Sequence, residues 1–299
     1  MVKTFALLSL IFISAYSNAE NIREKWSSKT DGSKFIDVRG TNVHYRDFGS
    51  GNPIVLLHGI CDSLHTWRKW KDTIVESGYR YIAIDIPGFG LTNGKEIPYN
   101  SKGYSEFLHH LFKKLDIKRP IVIGNSLGGY IAWNYALDYP KDIEKLVLLS
   151  PAGYPLSPPF IVKTSNNKFL KWIAKNFTTR MTSDIIARGV FFNRNKMEEQ
   201  DLERFYDLFK LEGNFDRYMK VFEEIMKLKD HTPNLSELKT PTLLIWGKED
   251  SWIPFDQSKF WQRDVKNLTF FKLEDIGHTP QLETPMKSVK IVLDYLKSN

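Results

Sequence analysis

The sequence is poor in the features that mark several common functions. It has one cysteine, Cys61, so no intrachain disulfide can form. It has no long basic tract, no zinc-ligand spacing and no glycine-rich phosphate loop, so the usual signatures of nucleic-acid and nucleotide binding are missing. There is no internal repeat and no low-complexity segment. The net charge of +7 over 299 residues is mild and can serve solubility alone. Apolar residues, by contrast, make up 42% and aromatics 14%, enough for a sizeable core. The length fits one large α/β domain with an insertion, or two small domains.

The N-terminus reads as a targeting segment. Lys3 supplies a positive charge, Phe5 to Ile13 is apolar except for Ser9, and Ser17-Asn18-Ala19 offers small residues before a cut. The expectation is a signal peptide over residues 1–19, with export to a periplasm or the medium. The apolar run is too short for a comfortable membrane span. An uncleaved interfacial anchor is the alternative.

Apolar patterning then organises the chain. Lys34–Val38 and Asn42–Phe48 alternate around Arg39-Gly40 as two antiparallel strands. Ile54–Leu57, Tyr81–Ile84, Ile121–Ile123 and Leu146–Leu149 are short continuous apolar runs, as expected of strands buried on both faces. Helical segments lie between them, at Trp67 to Glu76, Tyr104–Leu115 and onward from Ser126 to Leu137. The alternation predicts a parallel sheet with helices on both faces. After Ser150-Pro151 the rhythm stops, and Tyr154 to Leu235 carries helical spacing only. It resumes with Thr242–Trp246, a helix from Pro254, Leu268–Leu273 and a last helix from Thr284 to Lys297. The expected division is a core over 20–153, a helical cap over 154–235 and the rest of the core over 236–299.

Gly124-Asn125-Ser126-Leu127-Gly128 matches G-x-S-x-G and follows a predicted strand. That context puts a serine on a strained strand-to-helix corner. Gly124 and Gly128 are needed there because side chains would strike neighbouring backbone. A serine needs a base, usually a histidine oriented by a carboxylate. His278 follows the last strand and Asp250 follows the strand before it, so both emerge at the edge where Ser126 sits. Glu249 remains a rival acid. His44, His109, His110 and His231 lie elsewhere. His58-Gly59-Ile60 closes an early strand, and the Ile60 amide can join that of Leu127 as an oxyanion hole. His58 is expected to support that loop, and Cys61 to be a small buried residue.

Taken together, HGICDS, DIPGFG, GNSLGG, WGKED and GH resemble the α/β-hydrolase superfamily, in that family's order, over essentially the whole mature length. The resemblance implies a mostly parallel eight-stranded sheet with a helical cap inserted after strand 6. It implies a serine carboxylesterase or lipase acting on apolar acyl or aryl esters. The alternatives are a C–C-bond hydrolase of the meta-cleavage-product type, a perhydrolase-like enzyme, or a non-catalytic ligand-binding member. Many C–C-bond hydrolases carry a tryptophan after the histidine, where this chain has Thr279, although Asn125 fits them. No metal or organic cofactor is expected, because serine chemistry requires neither.

The insertion is basic, with eight Lys or Arg against one acid over Tyr154–Lys196. Lys168, Lys171 and Lys175 share one helical face, and Phe169, Trp172 and Ile173 another. The expectation is a cap helix that buries its aromatics over the pocket and solvates its lysines. Peripheral membrane contact is the other reading. The expected partner is a small-molecule or lipid ester, not nucleic acid. Replacing the predicted nucleophile, Ser126→Ala, should lower turnover of an activated ester on the order of 10⁶-fold, read by steady-state kinetics.

Overall fold

A computed structural model describes residues 20–28, 31–155, 167–227 and 234–298. The expected signal segment, Lys163 and His231 lie outside the described residues. Eight strands form the sheet: β1 (Ser33–Val38), β2 (Thr41–Phe48), β3 (Pro53–Leu57), β4 (Arg80–Ile84), β5 (Ile121–Asn125), β6 (Lys145–Leu149), β7 (Thr242–Gly247) and β8 (Leu268–Leu273). Their order is β1-β2-β4-β3-β5-β6-β7-β8, and a two-residue strand, Asn93–Gly94, pairs with β2 at its side. β2 runs antiparallel to β1 and β4, and every later pair is parallel.

The continuous apolar runs have a two-sided explanation. In β3, Val55 and Leu57 enter one core layer with Tyr104 and Ile131, while Ile54 and Leu56 enter the other with Trp67, Trp70 and Val289. Alternate side chains point to opposite faces, and helices cover both, so no position of the strand is left for a polar residue. The covering helices are α1 (Lys71–Glu76), α2 (Ser101–Lys114) and α3 (Leu127–Asp138), with α8 (Ser258–Asp264), α9 (Pro280–Glu283) and α10 (Pro285–Ser298) after the insertion. Asn100 caps α2 by accepting from the Gly103 amide at 2.9 Å. Two expected helices are broken. Leu64–Trp70 is a 3₁₀ segment before α1, and Phe255–Gln257 is another before α8.

Between β6 and β7 the described insertion is helical: α4 (Lys168–Phe177), α5 (Arg180–Arg188), α6 (Glu199–Lys210) and α7 (Asn214–Lys227). Buried charge fastens it to the core. The Arg204 side chain on α6 is 1% exposed, and its guanidinium donates to Asp201 at 2.6 Å and to Asp62 at 3.0 Å. Arg68, from the core, also reaches Asp201 at 2.7 Å. Burial opposes these charges. The arginines hold the Asp201 carboxyl below its ordinary range, and the two aspartates hold Arg204 above its own. Asn214 adds a neutral link from α7 by donating to the Gly90 carbonyl at 3.0 Å.

Removing Arg204 alone leaves two buried carboxylates without their common partner. Arg204→Met should therefore lower the unfolding free energy by about 3–5 kcal/mol in urea titration. Lys25→Ala removes half-exposed pairs with Glu203 and Asp207 and should cost under about 1 kcal/mol.

Candidate active site

The parallel strands deliver three side chains to one edge. Ser126 follows β5 directly, at the start of α3, with φ 54° and ψ −114°. This backbone conformation is strained for a residue with a Cβ. Hydrogen bonds hold it: the Ser126 amide donates to Leu149 O at 3.1 Å, and its carbonyl accepts from Tyr130 and Ala152 at 3.0 and 3.1 Å. The flanking glycines are obligatory as expected. A Cβ on Gly124 would lie 2.2 Å from the Gly128 oxygen, and one on Gly128 would lie 2.2 Å from the Leu57 oxygen.

Asp250 and His278 arrive on the loops after β7 and β8. The His278 Nδ1 lies 2.8 Å from Asp250 Oδ2. The other carboxylate oxygen accepts from the Trp252 and Ile253 amides at 2.8 and 2.9 Å. Glu249 is exposed, so the acid beside the imidazole is Asp250. With Nδ1 committed to Asp250, Nε2 is the nitrogen that remains for a hydroxyl. The Trp252 indole lies parallel to the imidazole, with ring centroids 6.1 Å apart, and donates to the Gly189 carbonyl at 3.2 Å. Ser126, His278 and Trp252 line one cavity.

Asn125, already singled out beside the serine, fixes the histidine loop together with Gln281 and Glu283, which the sequence did not mark. The Asn125 amide nitrogen donates to both Leu149 O and His278 O at 3.0 Å. Gln281 in turn donates to Asn125 Oδ1 at 3.0 Å. Glu283 is buried and accepts from Gly277 at 2.8 Å, and from the Asn193 amide of the insertion at 2.8 Å. The His278 amide donates to Val190 O, also in the insertion, at 2.8 Å. Asn125 was legible as a neighbour of the serine. Nothing in the spacing of Gln281, Glu283 or Trp252 separates them from ordinary loop and helix residues.

The His58-Gly59-Ile60 loop passes beside the serine. A Cβ on Gly59 would sit 3.2 Å from Asn125 Oδ1 and 3.5 Å from Ser126 Cβ. His58 is fully buried. Its Nδ1 lies 2.7 Å from Gly59 O, and its Nε2 accepts from the Ile86 amide at 3.0 Å. Burial lowers its pKa, which favours the neutral ring that this pattern requires. The Ile60 and Leu127 amides donate to no other described residue. Cys61 is half-buried at the cavity wall rather than buried as expected, and desolvation there, with Asp62 alongside, pushes its thiol up and keeps it protonated.

The other histidines have separate surroundings. His44 is buried against Asp85, with Nδ1 to Oδ2 at 2.7 Å. His109 and His110 lie on α2, where His109 stacks on Tyr139. Among the described residues, no group of three or more His, Cys, Asp or Glu is placed to hold a metal ion.

The insertion roofs the cavity with Val190, Phe205, Phe209, Phe215, Met219 and Phe222. Among the described residues, the charged lining side chains Lys171 and Asp62 are paired, with Glu223 at 2.5 Å and with Arg204 at 3.0 Å. The expected apolar, aromatic chamber is present. α4 contributes to it differently from expectation, because its aromatics turn outward. Phe169 is 66% exposed and Trp172 55% exposed. Lys171 at the cavity wall and Lys175 at an exposed position instead pair with acids on α7.

Comparison with known proteins agrees with this architecture. Residues 52–285 match the family described as the alpha/beta hydrolase fold. A 2-hydroxy-6-oxononadienedioate/2-hydroxy-6-oxononatrienedioate hydrolase from Burkholderia vietnamiensis is 28% identical over 279 residues, covering 89% of this chain and 96% of its own. A meta-cleavage product hydrolase from Pseudomonas fluorescens superposes with a TM-score of 0.77 at 21% identity, covering 90% of this chain and all of its own. A putative lipase from Acinetobacter baumannii has a TM-score of 0.77 at 23% identity, covering 95% and 96%. The reaction in the first relative's name is the carbon–carbon alternative, not the ester reading given first place above.

If Asp250 orients the imidazole, Asp250→Asn should lower kcat on the order of 10⁴-fold. Glu249→Gln, at an exposed position, should leave kcat within about twofold of the parent. Steady-state kinetics on one activated ester measures both.

Proposed function

This chain belongs to the alpha/beta hydrolase fold family, and on that premise we propose a serine hydrolase that cleaves apolar acyl compounds through an acyl-enzyme. In this reading the Ser126 hydroxyl attacks a carbonyl carbon while His278 Nε2 takes its proton. Asp250 keeps the ring oriented and offsets the imidazolium charge. The Ile60 and Leu127 amides receive the developing oxyanion, each worth about 2.7–4 kcal/mol in the transition state. His278 returns the proton to the leaving group, and then activates the water that releases the acyl group.

The observation that carries the substrate class is the cavity wall. Its roof is aliphatic and aromatic, and its one lining lysine is held by Glu223. Among the described residues, this wall offers no unpaired cation to a substrate with two carboxylates, and stripping water from an unpaired carboxylate is costly. We therefore place an apolar ester first. The second reading, carbon–carbon bond hydrolysis, draws its support from the curated relatives, whose names specify it. An uncharged or singly charged ketone would suit both the relatives' chemistry and this wall.

A substrate panel separates the readings. It consists of p-nitrophenyl esters of increasing acyl length, and 2-hydroxy-6-oxodienoates with and without a second carboxylate. The expected result is an ester kcat/KM that rises with acyl length and exceeds that of the diacid by roughly 10²-fold or more. A larger kcat/KM on either dienoate would transfer the assignment to carbon–carbon hydrolysis. Failure of a fluorophosphonate probe to label the parent at Ser126 would overturn both.

A further inference from the structure

Helix α4 is mounted with its charged side toward the protein and its apolar side toward solvent. Lys171 and Lys175 reach α7, with Nζ 2.5 Å from Glu223 Oε1 and 2.8 Å from Asp216 Oδ2. Lys171 and Ala174 also line the cavity, as does Thr178 just past the helix. Phe169, Trp172, Ile173 and Phe177 recur at i, i+3, i+4 and i+8 and so share the other face. None is buried, and Phe177 is 62% exposed. The rings touch: Phe169 stacks on Trp172 with centroids 6.3 Å apart, and Phe177 meets Trp172 edge-on at 5.4 Å. Met181 and Ile185, one turn apart on α5, are also exposed. Of the twelve large apolar side chains exposed on the described surface, seven fall between positions 169 and 185. A concentration of this kind marks a contact surface.

We propose that this face of α4 docks the protein onto an anionic lipid membrane. Three observations select that occupant. Tryptophan and phenylalanine beside lysines are the residues that settle at a lipid–water boundary. Charge is complementary: of the five Lys or Arg at positions 168–188, Lys171, Lys175 and Arg180 are paired with acids, and Lys168 and Arg188 are left over among the described residues, within a chain of net charge +7. Lys168 has no acidic partner among the described residues, and Arg188 donates to the Arg194 carbonyl, so neither cation is spent on a carboxylate. A second copy is the poorer occupant, because a two-fold contact over the apolar face would bring the unpaired Lys168 and Arg188 of both copies together. The same helix walls the cavity, so docking would set the cavity roof against the lipid, from which an apolar substrate could enter. The docking itself does not depend on the hydrolase reading, and its test needs no turnover.

The test is co-sedimentation of the full chain with vesicles of phosphatidylcholine, alone or mixed with phosphatidylglycerol. The parent should bind the mixed vesicles more tightly, with affinity falling as salt rises. A double variant, Phe169→Ser with Trp172→Ser, should lower partitioning on the order of 100-fold while keeping the thermal midpoint, because both rings are solvent-exposed. Lys168→Glu with Arg188→Glu should lower binding to the mixed vesicles roughly tenfold and leave phosphatidylcholine binding little changed. Equal partitioning of parent and aromatic variant would overturn the proposal, because another segment would then do the binding. So would a parent that ignores both vesicles. A parent dimer that the aromatic variant dissolves, with neither binding vesicles, would reassign the face to self-association.

Discussion

A methyl group on Gly128 would lie 2.2 Å from the Leu57 carbonyl oxygen, and that near-contact is the constraint on which the site rests. It means that the start of α3 touches the end of β3 with no atom to spare. The close approach brings Ser126 beside Gly59 in the loop after β3. It also forces Ser126 into a backbone conformation that costs about 1–3 kcal/mol. Hydrogen bonds to Leu149, Tyr130 and Ala152 hold the corner in that state. Cys61 and Ser150, on the adjoining loops, also take positive φ, at 58° and 42°.

From this corner the order spreads by polar contact. Asn125 spans β5, the end of β6 and the histidine loop with one carboxamide, and Gln281 orients that carboxamide in turn. Glu283 and the His278 amide then join the histidine loop to the insertion. On the opposite side, Arg204 joins the insertion to Asp62, in the loop after β3. The roof is therefore bonded to both loops that carry candidate chemistry. The cavity roof, the His278 loop and the loop after β3 are thus joined by direct polar contacts.

Much of this was readable in the chain itself. The glycines at 124 and 128, the serine between them, and an acid and a histidine after successive apolar runs reflect local rules that operate within a few residues. The strands were legible because burial on both faces leaves only apolar side chains. The helices at 64–76 and 254–264 were less so, because a 3₁₀ turn and an α-turn share nearly the same apolar spacing. Trp252, Gln281 and Glu283 were invisible because their partners lie on other elements.

α4 shows most clearly where the sequence stops deciding. Its residues fixed that one side would be basic and the other aromatic, since helical periodicity is a property of the segment. They did not fix which side would face the protein. In the fold, Glu223 and Asp216 on α7 meet the lysines, and the cavity wall is already supplied with phenylalanines from α6 and α7. Likewise, the sequence set Asp250 and Glu249 side by side, and only the path of the β7 loop determined which carboxylate meets the imidazole. Local chemistry is written in consecutive residues. Orientation is decided by what the rest of the fold brings alongside.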